Sequence, residues 1–265
     1  MNEIIVSNKN TKIKYIKSLY KKKNRWEEKK YIIEGIRSIE QILNSEENII
    51  EIFYSNDVKK LSRGEKLLKK IEYRGIDLTE VSKDIFENIS STETPQYILA
   101  LVSFKEYNAF EVLESKKRFI ILDRIQDPGN LGTIIRTSEA MGFDGILAFK
   151  GTADIYNPKV VRSTMGIKIP IAYCEEIDQI IKELKRKKIK IVSTSLDSKK
   201  YIYEANLSGD IAIIIGNEAN GVSKELIDNS DEILKIPMQG EAESLNAAIA
   251  SGMIIYESVR QKART

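Results

Sequence analysis

The chain has 265 residues, 42% of them hydrophobic, 31% charged and only five proline, a composition that supports a globular core and excludes long disordered tracts. With no histidine and a single cysteine, it has no Ser-His-Asp or Cys-His pair, no histidine zinc site and no intrachain disulfide. The net charge of +3 hides an asymmetry: residues 1–30 hold ten Lys or Arg against three Glu, or +7, leaving −4 for the remainder.

A basic arm of this kind suits a polyanionic partner and equally suits a plain solvated face. No apolar run approaches the roughly 20 residues that cross a bilayer, and no apolar stretch follows the first basic residues. A cytoplasmic protein without membrane contact is therefore expected. Cys174 reads as a small buried hydrophobe, and the acidic residues near the loops below form no metal-ligand pattern, so no metal is expected.

In chain order, residues 11–23 set Ile13, Ile16, Leu19 and Tyr20 at helical spacing among lysines and predict one amphipathic helix. A strand at 31–33, a turn into a helix at 34–43, a strand at 49–54, a helix at 57–72 and strands at 77–81 and 98–104 follow. Their alternation predicts a small α/β domain over residues 1–105. Polar residues 106–117 are expected to be a linker. Residues 118–265 then predict strands at 119–122, 145–149, 169–171, 189–193, 211–215 and 233–236. Helices are expected near 130–141, 157–164, 176–187, 222–228 and 244–260. The unalternating run at 211–215 is that of a parallel strand covered on both faces, and the whole reads as an open α/β sheet whose ligand sits at the carboxyl ends of the strands.

Three segments end an apolar strand in a Gly- or Pro-bearing turn and begin a helix on polar residues. In the first, residues 121–136, the turn Asp127-Pro128-Gly129-Asn130 exposes helix-start amides and projects Asn130 and Arg136 toward one side, an arrangement suited to an anion. An Asn130 helix cap and an exposed Arg136 ion pair would produce the same residues. In the second, residues 211–221, Gly216 and Gly221 would let backbone approach a ligand closely. The third runs from Ile236 to Ala250, where Ser244 is a candidate cap for the last helix with Asn246 in its first turn.

Together these segments resemble the three motifs of the SpoU/TrmH family of S-adenosylmethionine-dependent RNA ribose 2′-O-methyltransferases, in the SPOUT superfamily. The resemblance implies a parallel sheet flanked by helices with a deep trefoil knot. A looser match at residues 5–20 and 33–37 implies a smaller N-terminal α/β domain of ribosomal-protein-like fold that binds substrate. It also implies S-adenosylmethionine as cofactor, and RNA as partner, with ribosomal RNA favoured over transfer RNA because of that extra domain. A homodimer through the C-terminal domain is implied too, and in the last helix the apolar Ile249, Met253, Ile254 and Tyr256 read as either core or interface.

Residue by residue, the resemblance assigns Asn130, Arg136, Glu218, Ser244 and Asn246 to catalysis. It assigns Thr194, Ser195, Leu196, Gly216, Asn217, Gly221, Ile236, Met238, Ser244, Leu245 and Asn246 to the cofactor. Lys21, Lys22, Lys23, Arg25, Arg37 and Arg162 are candidate RNA contacts, Arg162 being an equally good structural ion pair. Ala248 departs from the family, many members of which have a second serine there. An arginine is a poor base because its pKa exceeds about 12, so Arg136 is read as either base or electrostatic clamp, with Glu218 as the substitute base. A catalytically silent RNA-binding protein of the same fold is the competing reading. A kinase or nicotinamide enzyme is disfavoured, since no strand leads into a Walker loop or Gly-x-Gly-x-x-Gly.

Overall fold

The computed structural model describes residues 4–45, 48–114, 117–164 and 166–264, and its contacts divide the chain into two compact units. The first comprises Met1–Lys105 with Tyr156–Lys168; the second comprises Glu106–Ile155 with Ile169–Thr265.

In the first unit a four-stranded sheet is built from β1 (Lys30–Glu34), β2 (Asn48–Tyr54), β3 (Leu78–Glu80) and β4 (Ile98–Ser103) in the order β1-β4-β2-β3. Only the β2–β3 pair is parallel. Around the sheet lie α1 (Thr11–Ser18), α2 (Lys22–Glu28), α3 (Ile36–Ile42), α4 (Gly64–Tyr73) and α5 (Lys83–Ile89). The single helix expected over residues 11–23 is thus two. Asn10 caps α1 through Lys12 N at 2.9 Å, and the chain breaks at Leu19–Lys21 so that Ile13, Ile16 and Leu19 can enter the core while Lys21–Lys23 stay outside. The helix α5 escaped the sequence reading, although Ser82 caps it and Ile85, Phe86 and Ile89 bury its inner face.

The segment expected as a helix at 157–164 of the C-terminal domain folds instead with this first unit, as α8 (Pro158–Thr164). Tyr156 is 7% exposed and stacks on Phe104 at 3.8 Å between centroids, with Trp26 edge-on at 5.7 Å. Aromatic packing of this kind is worth about 1 kcal/mol per pair beyond area burial.

In the second unit α6 (Ala109–Leu113), β5 (Arg118–Leu122), α7 (Pro128–Ala140), β6 (Gly145–Phe149), β7 (Ile171–Cys174), α9 (Ile177–Arg186), β8 (Lys190–Thr194), β9 (Ile211–Ile215), α10 (Lys224–Asp228), β10 (Glu232–Leu234) and α11 (Ala247–Lys262) follow one another. The expected linker is not a plain connector. Asn108 and Glu111 form a capping box on α6, and Ala109, Val112 and Leu113 join the core; residues 115 and 116 lie outside the described set. All strand pairs are parallel, in the order β10-β8-β9-β5-β6-β7. The strands β5, β6 and β9 are buried along their whole length, as a sheet covered on both faces requires. Because every strand points the same way, the loops after β5, β8, β9 and β10 all emerge at one edge. The order reverses between β5 and β9, whose following loops leave in different directions, and such a reversal opens a crevice.

Candidate active site at the carboxyl edge of the parallel sheet

Asp127 caps α7 by accepting from Asn130 N at 2.8 Å, with Pro128 at the first helical position, where its missing N–H costs nothing. The cap is therefore Asp127, which leaves the side chain of Asn130 free to act elsewhere. Asn130 Nδ2 donates to Glu218 Oε1 at 3.1 Å, and Asn130 Oδ1 accepts from Asn246 Nδ2 at 2.8 Å. Glu218 also accepts from the backbone of Gln126 and Asp127, at 3.1 Å each. One carboxylate and two amides thus join the three segments that sequence reading singled out.

Glu218 is an acceptor three times over and not a waiting base. Burial alone would raise its pKa, but hydrogen bonds from Asn130 and from backbone amides outweigh burial and hold it below the usual carboxylate range. A depressed pKa means that its stabilising contribution is complete above the unfolded carboxylate value of about 4.3 and is lost as pH falls through its own lower value. Glu218→Gln should therefore weaken the link between the first two segments at neutral pH and flatten the acid limb of the unfolding curve. Thermal melts of both proteins from pH 7 to pH 3 would show it, and parallel limbs would refute the assignment.

The third segment corrects an expectation. The last helix begins at Ala247, and its cap is Asn246, whose Oδ1 accepts from Ala248 N at 2.9 Å and Ile249 N at 3.3 Å; Ser244 is exposed and precedes it with half-buried Leu245. Asn246 therefore caps with its oxygen and reaches Asn130 with its nitrogen. Arg136 is exposed on α7. Six residues of helix separate it from Asn130 by about 9 Å along the axis and about 120° of rotation, so the two flank one solvent-facing side of α7 and do not point together.

The glycines of the second segment have internal reasons. A Cβ on Gly216 would lie 2.2 Å from Val222 N and 2.3 Å from Gly221 C, while Gly221 holds φ +65° with open space around it. Gly216 admits the chain's own return and Gly221 supplies the left-handed turn. Asn217 is likewise turned inward. It is 8% exposed, donates Nδ2 to Arg124 O at 2.8 Å and accepts from the amides of Ala219 and Asn220.

Around this loop, half-buried Thr194 ends β8, Ser195 N donates to Leu234 O at 2.9 Å, and Leu196 is exposed. Ile236 and Met238 are half-buried in the loop leaving β10. Leu196, Ile236 and Met238 can supply apolar surface to an adenine ring, and Ser195 and Ser244 hydroxyls to a ribose or an amino acid tail. That donor set suits S-adenosylmethionine.

Of the candidate RNA contacts, Lys21, Lys22, Lys23 and Arg37 are exposed, but Arg25 is not. It is 3% exposed and donates Nη1 to Leu19 O at 2.7 Å, closing the end of the first helical turn region from inside, so it does not offer its charge to a partner. Arg162 donates to Ser91 Oγ at 2.6 Å within the first unit. Its partner is thus a hydroxyl, where an acidic residue was the expected alternative to RNA. Burial pushes the Cys174 thiol up to about 12, in keeping with an inert core residue. Among the described residues no group of three or more acidic or cysteine side chains is placed to hold a metal, and no helix is long and apolar enough to cross a membrane.

The model of the SpoU rRNA Methylase family matches residues 117–256, and that of the MRM3-like substrate binding domain matches residues 10–100. The chain belongs to the SpoU rRNA methylase family. It is 35% identical to the 23S rRNA (guanosine(2553)-2′-O)-methyltransferase RlmP of Bacillus subtilis over 95% of this chain and 97% of the relative. It is 30% identical to the 23S rRNA (guanosine-2′-O-)-methyltransferase RlmB of Haemophilus ducreyi, over 87% and 97%. The crystal structure of an AdoMet-bound rRNA methyltransferase from Sinorhizobium meliloti superposes with a TM-score of 0.85 at 29% identity, covering 97% of each chain. That structure thus shares its fold with this chain over nearly the whole length of both.

Proposed function

We propose that the protein transfers a methyl group from S-adenosylmethionine to the 2′-hydroxyl of a guanosine ribose in large-subunit ribosomal RNA. The observation that carries this reading is the Glu218–Asn130–Asn246 bridge, which gathers all three segments at the sheet edge beside the surface suited to the cofactor. The cofactor supplies an electrophilic methyl on sulfur. The chain's own residues then align and exclude: Asn246 and Ser244 orient the ribose hydroxyl, and Arg136 stands as a permanent cation for a phosphate or a developing alkoxide. The named targets of RlmP and RlmB favour ribosomal RNA over transfer RNA. Incubating the protein with labelled cofactor and 23S transcripts, then mapping 2′-O-methyl positions, should give one guanosine. No heat with S-adenosylmethionine alongside clear binding of a nicotinamide cofactor would sink the reading.

This reading includes the trefoil knot at the C-terminal end, which the insertion of β9 between β8 and β5 supports. It includes the ribosomal-protein-like fold of the first unit, supported by its small mixed sheet. It also includes a dimer. On α11, Ile249, Met253 and Tyr256 are 53%, 41% and 57% exposed and stand at i, i+4 and i+7 on one face, whereas Ile254 is core. Met253→Asp with Tyr256→Ser should convert a dimer to a monomer in sedimentation velocity.

The lysines of the arm supply the polyanion contact. Lys21, Lys22 and Lys23 are exposed at the start of α2. Replacing all three by Ala should weaken RNA binding and lower the slope of log affinity against log salt by about 2–3, since each phosphate contact releases counterions. Cofactor affinity should not change. Fluorescence anisotropy across a salt series decides it, and an unaltered slope would make the arm a solvated surface.

A further inference from the structure

The bridge described above depends on where the loop after β5 leaves the sheet, and the first residue of that loop holds an ion pair through a buried carboxylate. Asp123, the residue after β5, is 2% exposed. Its carboxylate accepts from Arg124 Nε at 2.7 Å and Nη2 at 3.1 Å, and from Ser223 N at 2.6 Å. Ser223 directly precedes α10, two residues beyond the second segment. Arg124 is itself unusual, because its φ of +58° is left-handed, a conformation that costs a non-glycine residue energy unless its surroundings enforce it.

Those surroundings are in place. The Arg124 guanidinium folds back onto the preceding carboxylate, its carbonyl accepts from Asn217 Nδ2, and Gly151 leaves room for its stem, since a Cβ there would lie 2.9 Å from Arg124 Cγ. Two and three residues after Arg124, Gln126 N and Asp127 N reach Glu218.

We infer that Asp123 is a positioning residue for methyl transfer: by chelating the Arg124 guanidinium and the Ser223 amide with one buried carboxylate, it locks the left-handed turn that places Asn130 and Glu218 against Asn246. A carboxylate is needed because only an ionised group accepts from a planar two-pronged cation and an amide at once. An asparagine at 123 keeps one acceptor and turns an NH₂ toward the guanidinium, which frees Arg124 and leaves its turn unsupported. The inference rests on the methyltransferase reading.

The test compares single-turnover transfer, cofactor affinity and melting temperature for the wild type, Asp123→Asn, and Asp123→Asn with Arg124→Gly. Misplacement on the order of 1 Å costs about 10²-fold in rate. Asp123→Asn should accordingly lose about 10²-fold in single-turnover rate at saturating RNA, with the cofactor dissociation constant within about threefold of wild type. Glycine adopts φ near +60° without strain. The double variant should therefore recover about tenfold or more of the lost rate, a rescue that a purely stabilising role of Asp123 would not give. Circular dichroism at the assay temperature confirms that each variant is folded; should Asp123→Asn unfold, Arg124→Gln, which releases the same latch from its other end, should show the same rate loss. Rate unchanged in these variants, or lost without recovery in the folded double variant, overturns the latch. A wild type that transfers no methyl overturns the methyltransferase reading instead.

Discussion

Arg136→Ala should reduce methyl transfer by about 10²–10³-fold, the usual loss when a fixed electrostatic group is taken from a transition state, while leaving cofactor binding nearly intact. The side chain is exposed on α7 and does not take part in the Glu218–Asn130–Asn246 bridge, so its removal neither opens the core nor loosens the loops. Arg136→Lys should recover little, because an ammonium cannot present the planar fork to a phosphate or carboxylate. Single-turnover transfer of labelled methyl to the 23S substrate, with both ligands' affinities checked, is the measurement. A variant close to the wild-type rate would remove the arginine from the mechanism. Glu218 would not readily replace it, since the bonds that lower its pKa also occupy its oxygens.

Asn130→Ala should cost about 10²-fold in transfer as well, for a different reason. Its side chain is the only group that touches both Glu218 and Asn246 by hydrogen bonds among the described residues, so a single truncation unlinks the third segment from the first two. The helix should survive, because the cap at Asp127 uses the backbone N–H of residue 130 and remains. The expected stability loss is about 1–2 kcal/mol for two hydrogen bonds in a partly exposed setting. Combining it with Asn246→Ala should lose less than the product of the two single losses, because the shared contact is lost only once while the cap of Asn246 on α11 adds its own part. Multiplicative losses would mean that the contact between them is incidental.

The sheet was the easiest part to read from sequence. β6 and β9 occupy the expected residues because each is a short apolar run bounded by turn residues, a local pattern with one good solution. Residues whose role is set at a distance were harder. Asn130, Glu218 and Asn246 could be picked out by motif, but their mutual bonds span 88 and 116 residues of sequence, and nothing local encodes them. Arg25 was misjudged because charge counting treats every cation in a basic run as exposed, whereas this one faces inward from α2 onto a helix-end carbonyl. Gly216 and Gly221 carry an internal requirement beside the expected approach to a ligand, and the two look alike in sequence. The Asp127-Pro128 start of α7 did carry a local signal for its cap, and that signal would have freed Asn130 for the bridge.

The return of Tyr156–Lys168 to the first unit has a consequence for the order of events during synthesis. Residues 1–105 leave the ribosome first, yet Trp26 and Phe104 wait for Tyr156. Between them come Glu106–Ile155, which carry β5, α7 and β6. At about 5–20 residues per second, those 50 intervening residues impose a delay of about 3–10 seconds. The two units therefore cannot mature one after the other as beads on a string. The early unit stays open at its aromatic pocket while the first strands of the late one are already emerging, and the lone tryptophan of the chain sits at the place where that closure can be watched.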